Sequence, residues 1–171
     1  MRFGEFLKAT VLLSAGTATL LAAVTVIGLS REPDRALLLF SGFWWVGAVG
    51  VGIWLGRRAE TSPPIARLLA TARTQTTLPE LRPSTTIVNR LWPLLLYALA
   101  GSALGVFRPP VAAVAAGGAI IWALAWRRQE RAVTAIEERD GARFYIDNTS
   151  PFQPIRLVRT PGFGGAFLRR S

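Results

Sequence analysis

No cysteine and no histidine occurs anywhere in the sequence. Thiolate nucleophiles, imidazole acid–base catalysis, Cys or His metal ligands and His-ligated haem are therefore excluded, and with them the commonest chemistry of active sites. Neither a lysine-bearing P-loop nor a spaced-glycine dinucleotide fingerprint is present. No catalytic residue, cofactor or metal site is expected.

Charge is absent from four apolar stretches. Residues 9–29 and 36–56 each run 21 residues without an acid or a base, enough to cross about 30 Å of hydrocarbon at ~1.5 Å per residue. Residues 91–107 and 109–126 are shorter and near the lower limit of roughly 17 residues for a spanning helix. A re-entrant hairpin is the alternative for this second pair. It would strand Arg108 deep in hydrocarbon at a cost of about 3 kcal/mol or more, so two full crossings are expected. The first stretch is longer than the ~7–15 residues of a signal-peptide core, and it reads as an uncleaved anchor. With no ionisable side chain at mid-membrane, proton- or ion-coupled transport is not expected.

Positive charge is unevenly placed. Lys and Arg number 2 in residues 1–8, 6 in 57–90 and 9 in 127–171, against the 3 of Arg31, Arg35 and Arg108. The positive-inside rule puts both termini and the middle connection in the cytoplasm, at the inner (plasma) membrane. The fold class expected is an all-α integral membrane protein: a four-helix transmembrane bundle in residues 1–126, N-in and C-in, followed by a basic cytoplasmic tail, 127–171, with a small helix and a β-hairpin. The net charge is +10, carried mainly by the cytoplasmic pieces. Anionic membrane lipid, not nucleic acid, is the expected counter-charge.

Small residues recur at one-turn spacing on every span. Gly52 and Gly56 form such a pair on the second, Gly101 and Gly105 on the third, and Ala113 and Gly117 on the fourth, while Ser14, Ala18 and Ala22 share a register on the first. Such pairs let helix backbones approach closely. Packing within the bundle is the expected use, and homo-oligomerisation the other. Trp44 and Trp45 lie mid-span, away from the interface where tryptophan is usual, and each indole N–H needs a partner there. Helix packing is expected of them before a ligand pocket. The hydroxyls of Ser14, Thr17, Thr19, Thr25, Ser41 and Ser102 are expected to bond to their own or a neighbouring helix before lining a pore.

In the connection, residues 62–75 read as a short amphipathic helix on the inner leaflet, with Ile65, Leu68, Leu69 and Ala72 as its stripe and Arg67 and Arg73 beside it. Residues 76–86 read as an extended return. In the tail, residues 127–140 continue the fourth span as a helix that stops at Gly141. Arg57, Arg58, Arg127 and Arg128, with Arg67 and Arg73, are expected to meet anionic lipid or a partner. After Gly141 the alternation sets Ala142, Phe144 and Ile146 on one face and Arg143, Tyr145 and Asp147 on the other, and it pairs Ile155 with Leu157 and Arg156 with Val158. Joined across 148–154, the two runs make a hairpin over 142–160. Its apolar face of Phe144, Ile146, Ile155 and Leu157 needs cover, from the chain's own helices or from a partner whose sheet edge it extends. Residues beyond 160 read as a mobile, lipid-drawn tail.

Glu137, Glu138, Asp140 and Asp147 are the only clustered acids, and helix solubility or pairing with Arg131 or Arg143 accounts for them without catalysis. The expected function is that of a non-enzymatic accessory or assembly subunit, presenting an Arg-rich cytoplasmic cap to anionic lipid or to a membrane or cytoplasmic protein. An oligomeric passive channel or small-solute permease is the alternative. Because the chain has no native cysteine, orientation can be read with single thiols and no background. An impermeant maleimide added from the non-cytoplasmic side is expected to label the Glu32→Cys variant in sealed membranes, and the Ser171→Cys variant only after lysis; the reverse pattern overturns the orientation.

Overall fold

The computed structural model describes residues 1–31, 33–57, 63–74, 83–147 and 155–161. Arg58, the turn at 148–154, most of the 76–86 return and the tail beyond 161 lie outside the described residues. In chain order the elements are α1 (Phe3–Arg31), α2 (Arg35–Leu55), α3 (Pro63–Ala70), β1 (Arg73–Thr74), α4 (Pro83–Phe107), α5 (Pro109–Trp126), α6 (Gln129–Asp140), β2 (Ala142–Ile146) and β3 (Leu157–Pro161). Of these, α1, α2, α4 and α5 are long and apolar enough to cross a membrane.

Local chemistry sets the ends of these elements. Asp34 caps α2, its Oδ1 accepting from the N–H of Ala36 at 2.8 Å and of Leu37 at 3.3 Å. Prolines open α3 and α5, where a missing N–H costs nothing. Gly141, at φ +58°, takes the left-handed conformation that ends α6 and turns the chain directly into β2. Helix α5 does not run on into α6: Arg127 and Arg128 form a turn, and the Arg127 N–H reaches the carbonyl of Leu124 at 3.4 Å.

By packing, the chain divides into a helical unit, residues 9–58 and 91–128, and an α/β unit, residues 1–8, 59–90 and 129–171. The boundary therefore differs from the sequence-based division into 1–126 and 127–171. Strand pairing gathers the N-terminus and the middle connection with the tail.

In the helical unit α2 packs along α5. A Cβ on Gly52 would lie 2.8 Å from Leu124 Cβ, and one on Gly56 would lie 2.5 Å from the Leu124 carbonyl oxygen. The last turn of α2 thus rests backbone to backbone on the last turn of α5. Gly101 and Gly105 of α4 instead make room for side chains, those of Leu21 and Val24 of α1 and of Ala115 and Ala112 of α5. Ala113 and Gly117 are buried on α5.

The α/β unit holds a three-stranded sheet in the order β1-β3-β2, where the sequence pattern predicts only a hairpin. β2 and β3 are antiparallel, with Phe144 opposite Arg159, Tyr145 opposite Val158 and Ile146 opposite Leu157. β1 joins β3 in parallel, pairing Arg73 with Val158 and Thr74 with Arg159. Arg73 is therefore a strand residue, not part of the amphipathic helix, which ends at Ala70. The unit's core contains Phe3, Phe6 and Leu7 from α1, Ile65 from α3 and Val133 from α6, together with Phe144, Ile146 and Leu157. These three strand residues, expected to touch lipid or a partner, are instead the unit's own interior at 2–4% exposure. Each such side chain, once buried, contributes about 1.5–3 kcal/mol.

The outer edge of β2 is closed from within. Two of its outward amides are taken: the Phe144 N–H donates to Glu137 Oε1 at 2.9 Å and the Ile146 N–H to the Met1 carbonyl at 3.1 Å. A strand edge with its donors occupied offers little to an incoming strand. Glu137→Ala, which strands the Phe144 amide, is expected to destabilise the α/β unit by about 1–3 kcal/mol and to speed exchange of that amide, with Glu137→Gln intermediate. Hydrogen exchange in detergent micelles checks this.

Candidate functional site

Alternation along a strand and register between strands decide which side chains share a face. On one face of the sheet lie Ala142, Phe144, Ile146 and Leu157, with Arg159 beside Thr74. A cleft of about 320 Å³ opens there, lined by Leu69, Thr74, Ile136, Arg139, Phe144 and Arg159 among others. Arg139 Nε and Asp140 Oδ1 pair across 2.8 Å at its rim, and an ion pair so exposed contributes little to stability.

The other face is built differently. An isolated antiparallel bridge sets Arg2 opposite Tyr145, Tyr145 lies opposite Val158, and Val158 lies opposite Arg73. One row therefore crosses the sheet as Arg2, Tyr145, Val158, Arg73. Two residues along β2 from Tyr145 stands Arg143, and two residues before Val158 stands Arg156, both on this same face. Tyr145 and Val158 are buried at 5% and 2%, whereas Arg2, Arg73, Arg143 and Arg156 are all exposed. Four guanidinium groups thus frame a buried centre, with Asp147 the one acid of the register. At ~4.8 Å per strand and ~3.3 Å per residue, Arg2 and Arg73 have Cα atoms about 14 Å apart, and Arg143 and Arg156 about 13 Å apart along the strands.

By the same spacings the neighbouring corners, Arg2 with Arg143 and Arg73 with Arg156, lie about 8 Å apart, close to the screening length of about 8 Å at physiological ionic strength, whereas the diagonals exceed it. The corners consequently form two pairs on opposite sides of the buried centre. They suit anions spread over a surface.

In the helical unit the polar groups of the mid-span aromatics are accounted for. Trp45 Nε1 donates to the Ala113 carbonyl at 2.9 Å, Trp44 Nε1 to Val114 at 3.1 Å and the Tyr97 hydroxyl to Ala115 at 2.7 Å. Three consecutive carbonyls of α5 thus receive donors from two other helices. The glycines one turn on make room: a Cβ on Gly117 would fall on the Trp44 indole nitrogen, and one on Gly118 would lie 2.8 Å from the Tyr97 hydroxyl. The two tryptophans serve packing between α2 and α5. Ser14, Thr19, Thr25 and Ser41 donate to carbonyls one turn earlier on their own helices, at 2.7–3.0 Å.

The sequence-predicted residues fall into three groups. Gly52, Gly56, Gly101, Gly105, Ala113 and Gly117 lie in helix contacts of the helical unit. Arg57, Arg127 and Arg128 are exposed at the ends of α2 and α5, and Arg67 is exposed on α3. Phe144, Ile146 and Leu157 are interior and Ile155 is half-buried, because the chain covers that face of the sheet itself. Arg2 was not legible, since a single-residue bridge leaves no pattern in a sequence. Of the acids, Glu137 serves the β2 edge and Asp140 pairs with Arg139; neither partner is the Arg131 or Arg143 that helix spacing suggests. Among the described residues no three acidic side chains gather as a metal site.

No family model, curated protein sequence or solved structure matches the chain.

Gly117→Ala is expected to displace the Trp44 indole and destabilise the helical unit by about 2 kcal/mol. The same change at Gly47, where an added Cβ meets nothing within 4 Å, is expected to stay within about 0.5 kcal/mol of wild type. Reversible unfolding in mixed micelles separates the two.

Proposed function

We propose that this chain is a non-enzymatic multi-pass membrane protein, an accessory or assembly subunit, whose α/β unit lays an arginine-framed face against anionic membrane lipid. The carrying observation is that frame: Arg2, Arg73, Arg143 and Arg156 come from three separate chain segments and meet on one sheet face. Their spread, about 14 Å across the face, fits an array of phosphate headgroups.

Sidedness supports the same reading. The N-terminus, the connection with β1 and the tail with β2 and β3 belong to one unit, which supports placing all three on one side of a membrane. An even number of spans separates each from the next, two between the N-terminus and the connection and two between the connection and the tail. The excess of basic residues in these pieces supports the cytoplasmic side.

A passive channel draws less support. Of the hydroxyls available to line it, those of Ser14, Thr19, Thr25 and Ser41 are engaged with their own helices, which leaves them poorly placed to replace water around a solute, while the buried Ser102 Oγ has no partner among the described residues.

The test compares wild type with a variant in which Arg2, Arg73, Arg143 and Arg156 are all Gln, purified from native membranes in mild detergent. Retained phospholipid and protein are quantified. Anionic lipid per chain is expected to fall several-fold in the variant. If a stoichiometric protein is lost instead, the face is a protein-docking surface. A wild type that retains neither anionic lipid nor a partner overturns the reading.

A further inference from the structure

Helices α2 and α5 run in the same direction. Trp44 and Trp45 of α2 reach Val114 and Ala113 near the start of α5, and Gly52 and Gly56 reach Ile121 and Leu124 near its end. Their C-termini therefore come out side by side, with backbones in contact at Gly56 and Leu124. Each helix C-terminus behaves as roughly −0.5 of a charge, so two together amount to about −1.

Three described arginines stand at this point, Arg57, Arg127 and Arg128, all exposed. The Arg128 Nη1 donates to the Arg57 carbonyl at 3.1 Å, which satisfies an orphan carbonyl beyond α2 and fixes the guanidinium over the helix ends. One donor of that fork is spent and four remain. Against about −1 from the dipoles, three guanidinium groups leave a surplus of about +2. Neutralising the helix ends does not use up the charge.

Arg127 and Arg128 also line a cleft of about 120 Å³, whose other walls are Ile53, Leu124 and the bare backbone of Gly56. Two arginines and two aliphatic side chains thus share one cleft. A phosphodiester carrying acyl chains matches both halves, whereas a free anion matches only the first.

We propose that the paired C-termini of α2 and α5 form a binding site for a single anionic phospholipid, with its phosphate held by Arg127 and Arg128 and an acyl chain lying along Ile53 and Leu124. The inference rests on the reading of this end as the cytoplasmic leaflet, and it adds a discrete lipid site distinct from the broad arginine frame of the sheet.

The protein is delipidated in detergent and titrated with phosphatidylglycerol, phosphatidylcholine or inorganic phosphate, and bound lipid is counted by native mass spectrometry. The expected result is one phosphatidylglycerol bound well ahead of the rest, weakened roughly tenfold or more by Arg127→Gln with Arg128→Gln. The variant with the four frame arginines replaced by Gln is expected to keep that one lipid. Arg127→Lys with Arg128→Lys, which keeps the charge but loses the planar fork, is expected to bind with intermediate affinity and so separates recognition from misfolding. Equal binding by wild type and the Gln pair overturns the site while leaving the frame reading intact. Competition by inorganic phosphate at concentrations matching the lipid overturns the lipid assignment, and no preference for phosphatidylglycerol over phosphatidylcholine in wild type overturns both readings.

Discussion

Two indoles and a phenol at mid-span each carry a donor that apolar surroundings cannot satisfy, and their hydrogen bonds tie two helices to α5. All three end on the carbonyls of residues 113 to 115 of α5. An orphaned donor in such surroundings costs several kcal/mol. The glycines at 117 and 118 are what allow the aromatic rings to reach a backbone that side chains would otherwise cover. Once Trp44 and Trp45 are seated, α2 lies parallel to α5 and close to it. Parallel helices align their dipoles unfavourably, and arginines at the shared end offset the resulting negative charge. Aromatic donors, glycine gaps and terminal arginines are one arrangement seen at three depths.

The sheet follows a different logic. A two-stranded hairpin is marginal alone, and here its strands gain a third strand from the connection, a bridge from the N-terminus and a carboxylate from α6. Both faces acquire buried residues, with Phe144 and Leu157 on one and Tyr145 and Val158 on the other. On the second face arginine is confined to the margins. There its long stem covers apolar surface while the guanidinium stays accessible.

The sequence carried some of this plainly and some of it not at all. The limits of α2 and α5 were readable within a residue, because the uncharged runs 36–56 and 109–126 have sharp polar borders. Helices α1 and α4 begin earlier than their apolar runs, since nothing at Phe3 or Pro83 opposes a helical start. β2 and β3 were visible as alternation. β1 was not, because a two-residue strand has no period and its pairing spans more than eighty residues of chain. The arginine frame was half legible: alternation grouped Arg143 with Tyr145, while Arg2 and Arg73 joined the face only through long-range register. Lone indoles at mid-span announced a need for partners, but their destination on α5 depended on a pairing of helices that spacing alone does not determine.

The strand order gives the α/β unit a temporal character. β3 lies between β1 and β2, yet it is the last of the three to be synthesised. Until it arrives, β1 has no neighbour in the sheet and β2 lacks its antiparallel mate, although four hydrophobic helices have by then been made. The final strand acts as a keystone. A chain interrupted before it would hold its membrane helices and an open sheet, with the amides of β2 that face β3 exposed to quality-control proteases. Synthesis of β3 and closure of the basic face are thereby coupled.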